Sequence, residues 1–524
     1  MEFDYIIVGA GSAGCVLASR LSENPAHKVL LLEAGGGHKS PFIQIPFLTV
    51  LTMPFWFKNW HYRTEPQPGL YNRCGYQPRG KVLGGSSAIN AMIYIRGQSE
   101  DYDDWAKTTS SDWSYQSVLP LFKKFEHNYR INDQFHGQEG ELAVNDLRSP
   151  NVMSQLFIDA GMACGYQHNL DFNGASQSGV GLYQITQKDG KRHSSADAFL
   201  EPVMSRPNLT VHIQSRVLKL LINGSRCHGV QVKSRGQIVE YKARKRTILS
   251  AGAINSPQLL LLSGIGPKEE LMRHGIPCVH ELPGVGENFH DHPDYVHIYK
   301  SKHPALLGFG PSGLWDILKA YRVYRRNATG MMTTNFAEAG GFLSSDPQQD
   351  RPDIQLHFVP GIVDEHCHKF HSSRGMSLHA CALRPKSRGR IRLKSANPMH
   401  APAIDPNFLA HDYDVELMLR AYKMSLALME HELFASCNAR PLYKATSDDE
   451  IIQLLRQRAD TVYHPVGSCR MGHDEMAVVD SRLHVHGIEG LIIADASIMP
   501  QIVSGNTNAT VMMIAEQAAR FILN

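Results

Sequence analysis

The stretch that most restricts what this chain can fold into is Gly9-Ala-Gly11-Ser-Ala-Gly14, because of what stands on either side of it. Tyr5, Ile6, Ile7 and Val8 read as a buried parallel strand, and the residues after the glycines read as a helix running to about Leu21. "KVLLLEAG" then reads as a second strand ending at Glu33, nineteen residues beyond Gly14. This is the dinucleotide-binding fingerprint in its strand–turn–helix–strand setting. Gly9 permits the tight turn, Gly11 lets the backbone approach a pyrophosphate, and Gly14 lets helix and strand pack closely. Free N–H groups at the helix start, around Ser12 and Ala13, favour the anion. Glu33, followed by Ala34, is placed to accept hydrogen bonds from ribose hydroxyls. The motif does not by itself separate NAD from FAD.

The rest of the composition excludes more than it assigns. The chain has 524 residues, 43% hydrophobic and 20% charged, enough for a sizeable core and more than one domain. Lys plus Arg number 53 against 50 acids, so the net charge of +3 gives no reason to expect nucleic acid. Nine cysteines lie scattered with no C-x-x-C pair, which suits a reduced, cytoplasmic chain without disulfides. "MEFDYIIVGAG" lacks a basic leader region, so no secretory signal is expected. Residues 41–57, "PFIQIPFLTVLTMPFWF", are almost wholly apolar but hold three prolines, so they cannot form one regular helix. They read as a buried loop, as a lid over an apolar pocket, or as a surface touching a membrane or a lipid-soluble partner.

Three more segments bear on the ligand. "PRGKVLGGSSAINAMIYIRG" (78–97) carries Gly84-Gly85-Ser-Ser, a run of small residues able to lie flat on a ligand, and Asn90 beyond it. "SAGAINSPQLLLLSGIGP" (250–267), with Ala251 near its start, reads as a strand end followed by a short helix from Ser256-Pro257. "GLIIADASIMPQIVSGNTNATVMMIAEQAARFIL" closes the chain with a strand, Leu491 to Ala494, then Asp495, then a helix from about Asn506. The N-terminus of that helix could point at a ligand lying over the sheet.

With "YHPVGSCRMG" (463–472), these segments resemble the glucose–methanol–choline oxidoreductase family over essentially the whole chain. Within it, the sequence looks most like bacterial choline-dehydrogenase-like alcohol dehydrogenases. The resemblance implies an α/β FAD-binding Rossmann-like domain plus an α+β substrate domain with a mainly antiparallel sheet. It implies FAD rather than NAD, held at Gly9 to Gly14 and Glu33. By the same resemblance Val82, Gly85, Asn90, Ala91, Met92 and Ile93 lie near the flavin and ribityl chain, and the Val217 backbone near the adenine. Asp495 and Ala496 match ribityl and phosphate contacts, Thr507 the pyrimidine edge, and Trp60 a position close to the cofactor. Some relatives attach FAD to a histidine immediately before the signature asparagine; here that position is Ile89, so non-covalent FAD is expected.

The resemblance also assigns His464. No His, Cys or acid stands near it at metal-ligand spacing, and it matches the residue that the family uses as proton acceptor. A neutral imidazole can take the hydroxyl proton of an alcohol while hydride passes to flavin N5. Asn506, an amide and no base, is expected to hydrogen-bond the substrate oxygen, and Pro465 to help aim the His464 ring. The cluster "EHCHKFH" (365–371) reads as a solvated loop, and "NFHDHP" (288–293) as structure near the domain border. Strand-like "DIQLHFVP" and "SLHACALRP" and helical "VELMLRAYKMSLALMEH" belong to the substrate part.

The nucleotide-binding segments fall at both ends and in the middle. We therefore expect a discontinuous FAD domain, 1–150, 206–296 and 456–524, around a substrate domain of 151–205 and 297–455. The expected reaction is oxidation of a primary alcohol to an aldehyde, with electrons passing to a quinone or other carrier. An alcohol oxidase using oxygen, a choline dehydrogenase, a hydroxynitrile lyase on the same scaffold, and a non-catalytic FAD-binding protein stay open. A peripheral membrane contact at the inner face is a further expectation; oligomeric state is not legible.

Overall fold

A computed structural model describes residues 1–55 and 57–524, so within the apolar stretch 41–57 only Trp56 lies outside the described residues. Five parallel strands form the centre of the first sheet, in the order Leu209–His212, Val29–Leu32, Glu2–Val8, Gln237–Leu249, Leu491–Ile493. Their aliphatic runs are buried on both faces, as parallel strands covered by helices require. The first half of Gln237–Leu249 pairs instead with Arg226–Ser234, which pairs with Ser215–Asn223, giving an antiparallel flap. Helix Ser12–Leu21 follows the glycine turn as expected and packs against the C-terminal helix Asn508–Leu523. Arg20 fastens the two, bridging Glu516 of the second helix at 2.7 Å and Glu141 at 2.6 Å.

Helix Gly252–Leu262 begins four residues before the expected Ser256-Pro257 start, with Pro257 inside it. Proline inside a helix removes the N–H that would bond the carbonyl four residues back. That carbonyl, on Ala253, accepts from the Ser468 hydroxyl at 2.5 Å instead. The start thus depends on a residue more than two hundred positions away, which no local pattern reveals.

The second sheet is antiparallel throughout. Its order is Arg440–Pro441, Pro293–Ser301, Arg374–Ala382, Ile354–Val359, Ala339–Leu343, Gly179–Leu182, with Asp460–Thr461 also on Pro293–Ser301. Helices Asp412–Met429 and Val152–Ala163 cover one face, burying Leu356, Phe358, Leu378 and Ala380. Alternation sends Gln355, His357, Val359 and His379 to the other face. Two segments near the proposed domain boundaries pack across them. Strand Pro293–Ser301 belongs wholly to the antiparallel sheet, and the turn Ala196–Leu200 packs against the first helix.

Residues 41–51 form two short helical turns, Pro41–Gln44 and Pro46–Leu51, separated at Ile45. Ile43, Ile45 and Phe47 are buried, whereas Phe42, Phe55 and Phe57 are exposed. The buried guanidinium of Arg192 pins this stretch to the Gly84–Asn90 loop. It donates to Ile43 O at 3.0 Å and Thr49 Oγ1 at 2.6 Å on one side, and to Ser87 O at 3.1 Å and Asn90 Oδ1 at 2.8 Å on the other. No helix among the described residues is long and apolar enough to cross a membrane.

Candidate functional site

One elongated cavity runs along the carboxyl ends of the parallel strands and beneath the open face of the antiparallel sheet. Ligands in open α/β folds bind at such an edge. Gly9, Gly11, Ser12, Ala13, Glu33, Ala34, Trp60 and Val217 line one end, with Gly85 and Ala251. Asn90, Ala91, Met92, Ile93, Asp495, Ala496, Asn506, Thr507 and His464 line the rest. Two expected contacts fall elsewhere. Gly14 lies inside the first helix, where a Cβ would stand 1.9 Å from Gly9 O, so it spaces helix from strand as expected. Val82 is fully buried in a small cluster with Ile43 and Ala88 and does not line the cavity, because Gly36 pairs with its backbone and turns the side chain inward.

The nucleotide end fits a dinucleotide. Gly9, with φ of +99°, has room for no side chain, since a Cβ would meet Ser250 O at 2.6 Å. A Cβ on Gly11 would touch nothing closer than 4.0 Å, so that glycine opens cavity space instead of relieving a clash. The Glu33 carboxylate accepts from Ala10 N at 3.0 Å and Gly35 N at 2.7 Å. Burial pushes its pKa up to about 7. Trp60 stacks on Tyr62, and Arg216 and Lys81 sit over its ring. The Asp495 carboxylate is already engaged, accepting from Gly252 N at 2.9 Å, Ser256 Oγ at 2.6 Å and Ser497 N at 2.8 Å. It therefore shapes the turn before helix Gly252–Leu262 as well as lining the cavity.

At the far end the hydrogen bonds fix the protonation pattern of two histidines. His292 Nε2 lies 2.9 Å from Leu383 O, an acceptor only, so Nε2 carries the proton and Nδ1 is free to accept. His464 Nδ1, 3.1 Å from His292 Nδ1, must then be the donor. His464 Nε2 is left with a lone pair, 3.1 Å from the Asn506 amide nitrogen. Gln355 Nε2 donates to Asn506 Oδ1 at 3.0 Å and so orients that amide. The chain from Leu383 to Gln355 thus delivers a neutral His464 whose Nε2 can accept a proton.

The backbone at His464 is clamped as firmly. Tyr463 is held in the left-handed region, φ +77°, which strains a residue with a side chain. Its N–H donates to Thr461 Oγ1 at 2.6 Å, its carbonyl accepts from Arg79 at 2.8 Å, and its hydroxyl meets His366 Nδ1 at 2.6 Å. His464 N–H donates to Asp291 Oδ1 at 2.8 Å. Burial, with the neighbouring His292, His357 and Arg79, pushes His464 well below the usual histidine range and keeps it neutral. Arg79 is half-buried with no carboxylate in salt-bridge range among the described residues, a positive charge on the cavity wall.

Sequence reasoning missed several of these groups. His292 stands in the segment read as border structure, yet it sets the His464 ring; nothing in the chain marks residues 292 and 464 as neighbours. Gln355 and His357 did leave a signal, as polar residues at alternate positions of an apolar strand. The 365–371 cluster is less solvated than expected, because His366 also bonds Asp460 at 3.1 Å and His371 bonds Asp364 at 2.8 Å. Two clusters with metal-ligand character, His38–Asp197–Glu201 and Asp133–His136–Asp171, include neither His464 nor that loop.

Comparison with known proteins agrees with this arrangement. The family described as GMC oxidoreductase matches residues 3–294, and its C-terminal part matches residues 385–515. The chain belongs to the GMC oxidoreductase family. It is 46% identical over 531 residues to an alcohol dehydrogenase [acceptor] of Pseudomonas putida, covering 99% of this chain and 96% of that one. It is 39% identical over 535 residues to the oxygen-dependent choline dehydrogenase of Escherichia coli K12, covering 100% and 96%. Among solved structures, a formate oxidase of Aspergillus oryzae, described in connection with FAD modification, superimposes with a TM-score of 0.91 at 27% identity, covering 99% of this chain and 98% of that one.

Proposed function

We propose that this chain is an FAD-dependent dehydrogenase that oxidises an uncharged primary alcohol to its aldehyde and passes the electrons to a quinone or another carrier. The glycine turn at the N-terminus of helix Ser12–Leu21 would hold the pyrophosphate. Glu33, Trp60 and Val217 would surround the nucleoside, and residues 90–93, Ala496 and Thr507 the remainder. When bound, FAD supplies the hydride acceptor. The residue immediately before Asn90 is Ile89, not a histidine, which supports non-covalent attachment.

The observation that carries the reading is the His464 Nε2 lone pair facing the cavity beside the Asn506 amide. An alcohol hydroxyl that displaces this amide hydrogen bond donates its proton to Nε2 and accepts from Asn506. His464 takes the proton as C–H cleavage proceeds, which lowers the barrier to losing hydride. His292, accepting from Nδ1–H, holds the ring and its tautomer in place as Nε2 takes the proton. The Arg79 charge favours negative charge developing nearby.

The cavity favours an uncharged substrate over a quaternary amine. Its only carboxylates, among the described residues, are Glu33 at the nucleotide end and Asp495, whose oxygens are already engaged by Gly252, Ser256 and Ser497. Asp294 stays behind His379, whose Nδ1 it meets at 2.6 Å. Leu307, Phe309, Phe336 and Val359 give the wall near His357 an apolar character. The nine cysteines, all without a disulfide, suit a reducing cytoplasmic setting.

Anaerobic mixing of the purified yellow protein with a series of alcohols tests the function. Aliphatic or aromatic primary alcohols should bleach the flavin and choline should not. Bleaching by choline alone would overturn the substrate class. Cleavage of a hydroxynitrile without bleaching would favour the lyase. With air admitted, dye reduction faster than peroxide release supports the dehydrogenase form over the oxidase.

A further inference from the structure

Helix Pro311–Asn327 has two faces of different fate. Ile317, Ala320 and Tyr324 pack against Phe47, Leu307 and Phe309. The adjoining outer side leaves Leu314, Trp315, Leu318 and Tyr321 exposed at 57%, 53%, 49% and 43%. Positions 314, 318, 321 and 325 line up at helical spacing, so the apolar residues form a stripe that ends at Arg325. Lys319, Arg322 and Arg326 lie along its outer border, the other border being the packed face. Among the described residues none of these four cations pairs with a carboxylate, and the helix's one acid, Asp316, is held by Arg374 at 2.5 Å. At the start of the helix the Phe370 ring, 67% exposed, packs 5.3 Å from Phe309.

We infer that this helix lies in the headgroup layer of an anionic lipid bilayer, with its apolar stripe toward the acyl chains and its cations among the lipid phosphates. The charge pattern selects this occupant. A helix with Trp, Tyr and Leu toward one side and Arg and Lys along the adjoining outer border suits a surface that is apolar below and negative at its rim. A protein interface of comparable apolarity is depleted in Lys at its centre. The helix has 17 residues, one polar flank and four cations, so it rests on the bilayer and does not span it. Its inner face is joined through Leu307 and Phe309 to the cavity wall. Docking would therefore bring the apolar part of that wall close to lipid, where water-insoluble molecules are concentrated.

The test is flotation of the purified full-length flavoprotein with phosphatidylcholine vesicles, with and without phosphatidylglycerol. Binding should require the anionic lipid and fall steeply as salt rises, since screening shortens to about 3 Å at 1 M. Each cation near an anionic surface contributes a factor of about five, so the triple variant R322Q/R325Q/R326Q should lose roughly a hundredfold in partitioning. Trp315→Ser with Leu318→Ser should lose about tenfold or more even at low salt. Flavin content and melting temperature should stay at the parent values in both variants, which separates lost docking from lost fold. Absence of vesicle binding by the parent protein overturns the proposal, as does equal binding by the charge variant. So does a concentration-dependent dimer abolished by the same substitutions, because the stripe would then face a second copy of the chain.

Discussion

Replacing His292 with Phe keeps an aromatic ring in the buried site but removes the acceptor for His464 Nδ1–H. In the native site that acceptor is 3.1 Å away, and its own Nε2 is fixed by Leu383 O. A buried donor left without a partner costs about 1–3 kcal/mol. If that cost falls on the tautomer with a free Nε2, the rate of alcohol-driven flavin reduction drops about 5- to 150-fold. Removing His292 also takes away one of the influences that hold His464 below the usual histidine range. The acid limb of the rate profile should therefore move to higher pH, because the neutral base is lost at a higher pH. His292→Gln, whose side-chain carbonyl can accept from Nδ1–H, should recover much of the rate. Stopped-flow reduction under anaerobic conditions, read at the flavin band across a pH series, measures all three effects. A His292→Phe protein with full flavin content, a parental rate and an unshifted profile would show that His292 does not position the base.

The glycines offer a contrast. Gly14→Ala puts a Cβ 1.9 Å from Gly9 O and should give little folded protein, while Gly11→Ala meets no atom closer than 4.0 Å and should fold with reduced flavin, read by absorbance after desalting. Glu33→Ala orphans the N–H groups of Ala10 and Gly35 and should lower both flavin retention and thermal stability, by about 1–3 kcal/mol per unsatisfied group. Burial lowers His292 and His357 to about 3 and His297 to about 4, and also depresses His290 and His464. Between those values and about 6.5 the unfolded chain binds protons that the native chain does not, so stability falls with falling pH by about 1.4 kcal/mol per unit per histidine. Asp291 and Glu33, raised to about 6 and about 7, act in the opposite sense, as do Asp101, Asp294, Glu338 and Asp495, which burial also raises. The histidine part is isolated by His297→Phe: between about pH 6.5 and 4.5 its melting temperature should fall less, or rise more, than that of the parent protein, and an identical change by calorimetry would contradict the assignment of a buried neutral histidine there.

The parts of the molecule that were readable in the sequence are those in which neighbours in space are neighbours in the chain. Gly9 to Glu33 carries its whole supersecondary unit in one stretch, and Ile354–Val359 shows its strand by alternation. The His464–Asn506 pair came from the family resemblance, and the structure brings the two side chains to 3.1 Å. The groups that orient them were hidden, because His292 and Gln355 reach the site from strands or strand ends of the second sheet. The start of helix Gly252–Leu262 was misplaced for the same reason: Ser468 satisfies the carbonyl that Pro257 leaves open. Val82 shares a motif with Gly85 and Asn90, which line the cavity, but its side chain is buried with Ile43 and Ala88 where its backbone pairs with Gly36.

The most direct test is the reductive half-reaction of His464→Ala, compared with the parent protein at matched flavin content. Proton acceptance by a positioned side chain contributes about 10²- to 10⁴-fold, so bleaching by a good primary alcohol should slow by at least about a hundredfold while the protein stays yellow. Reduction within a few-fold of the parent rate would mean that another group removes the hydroxyl proton.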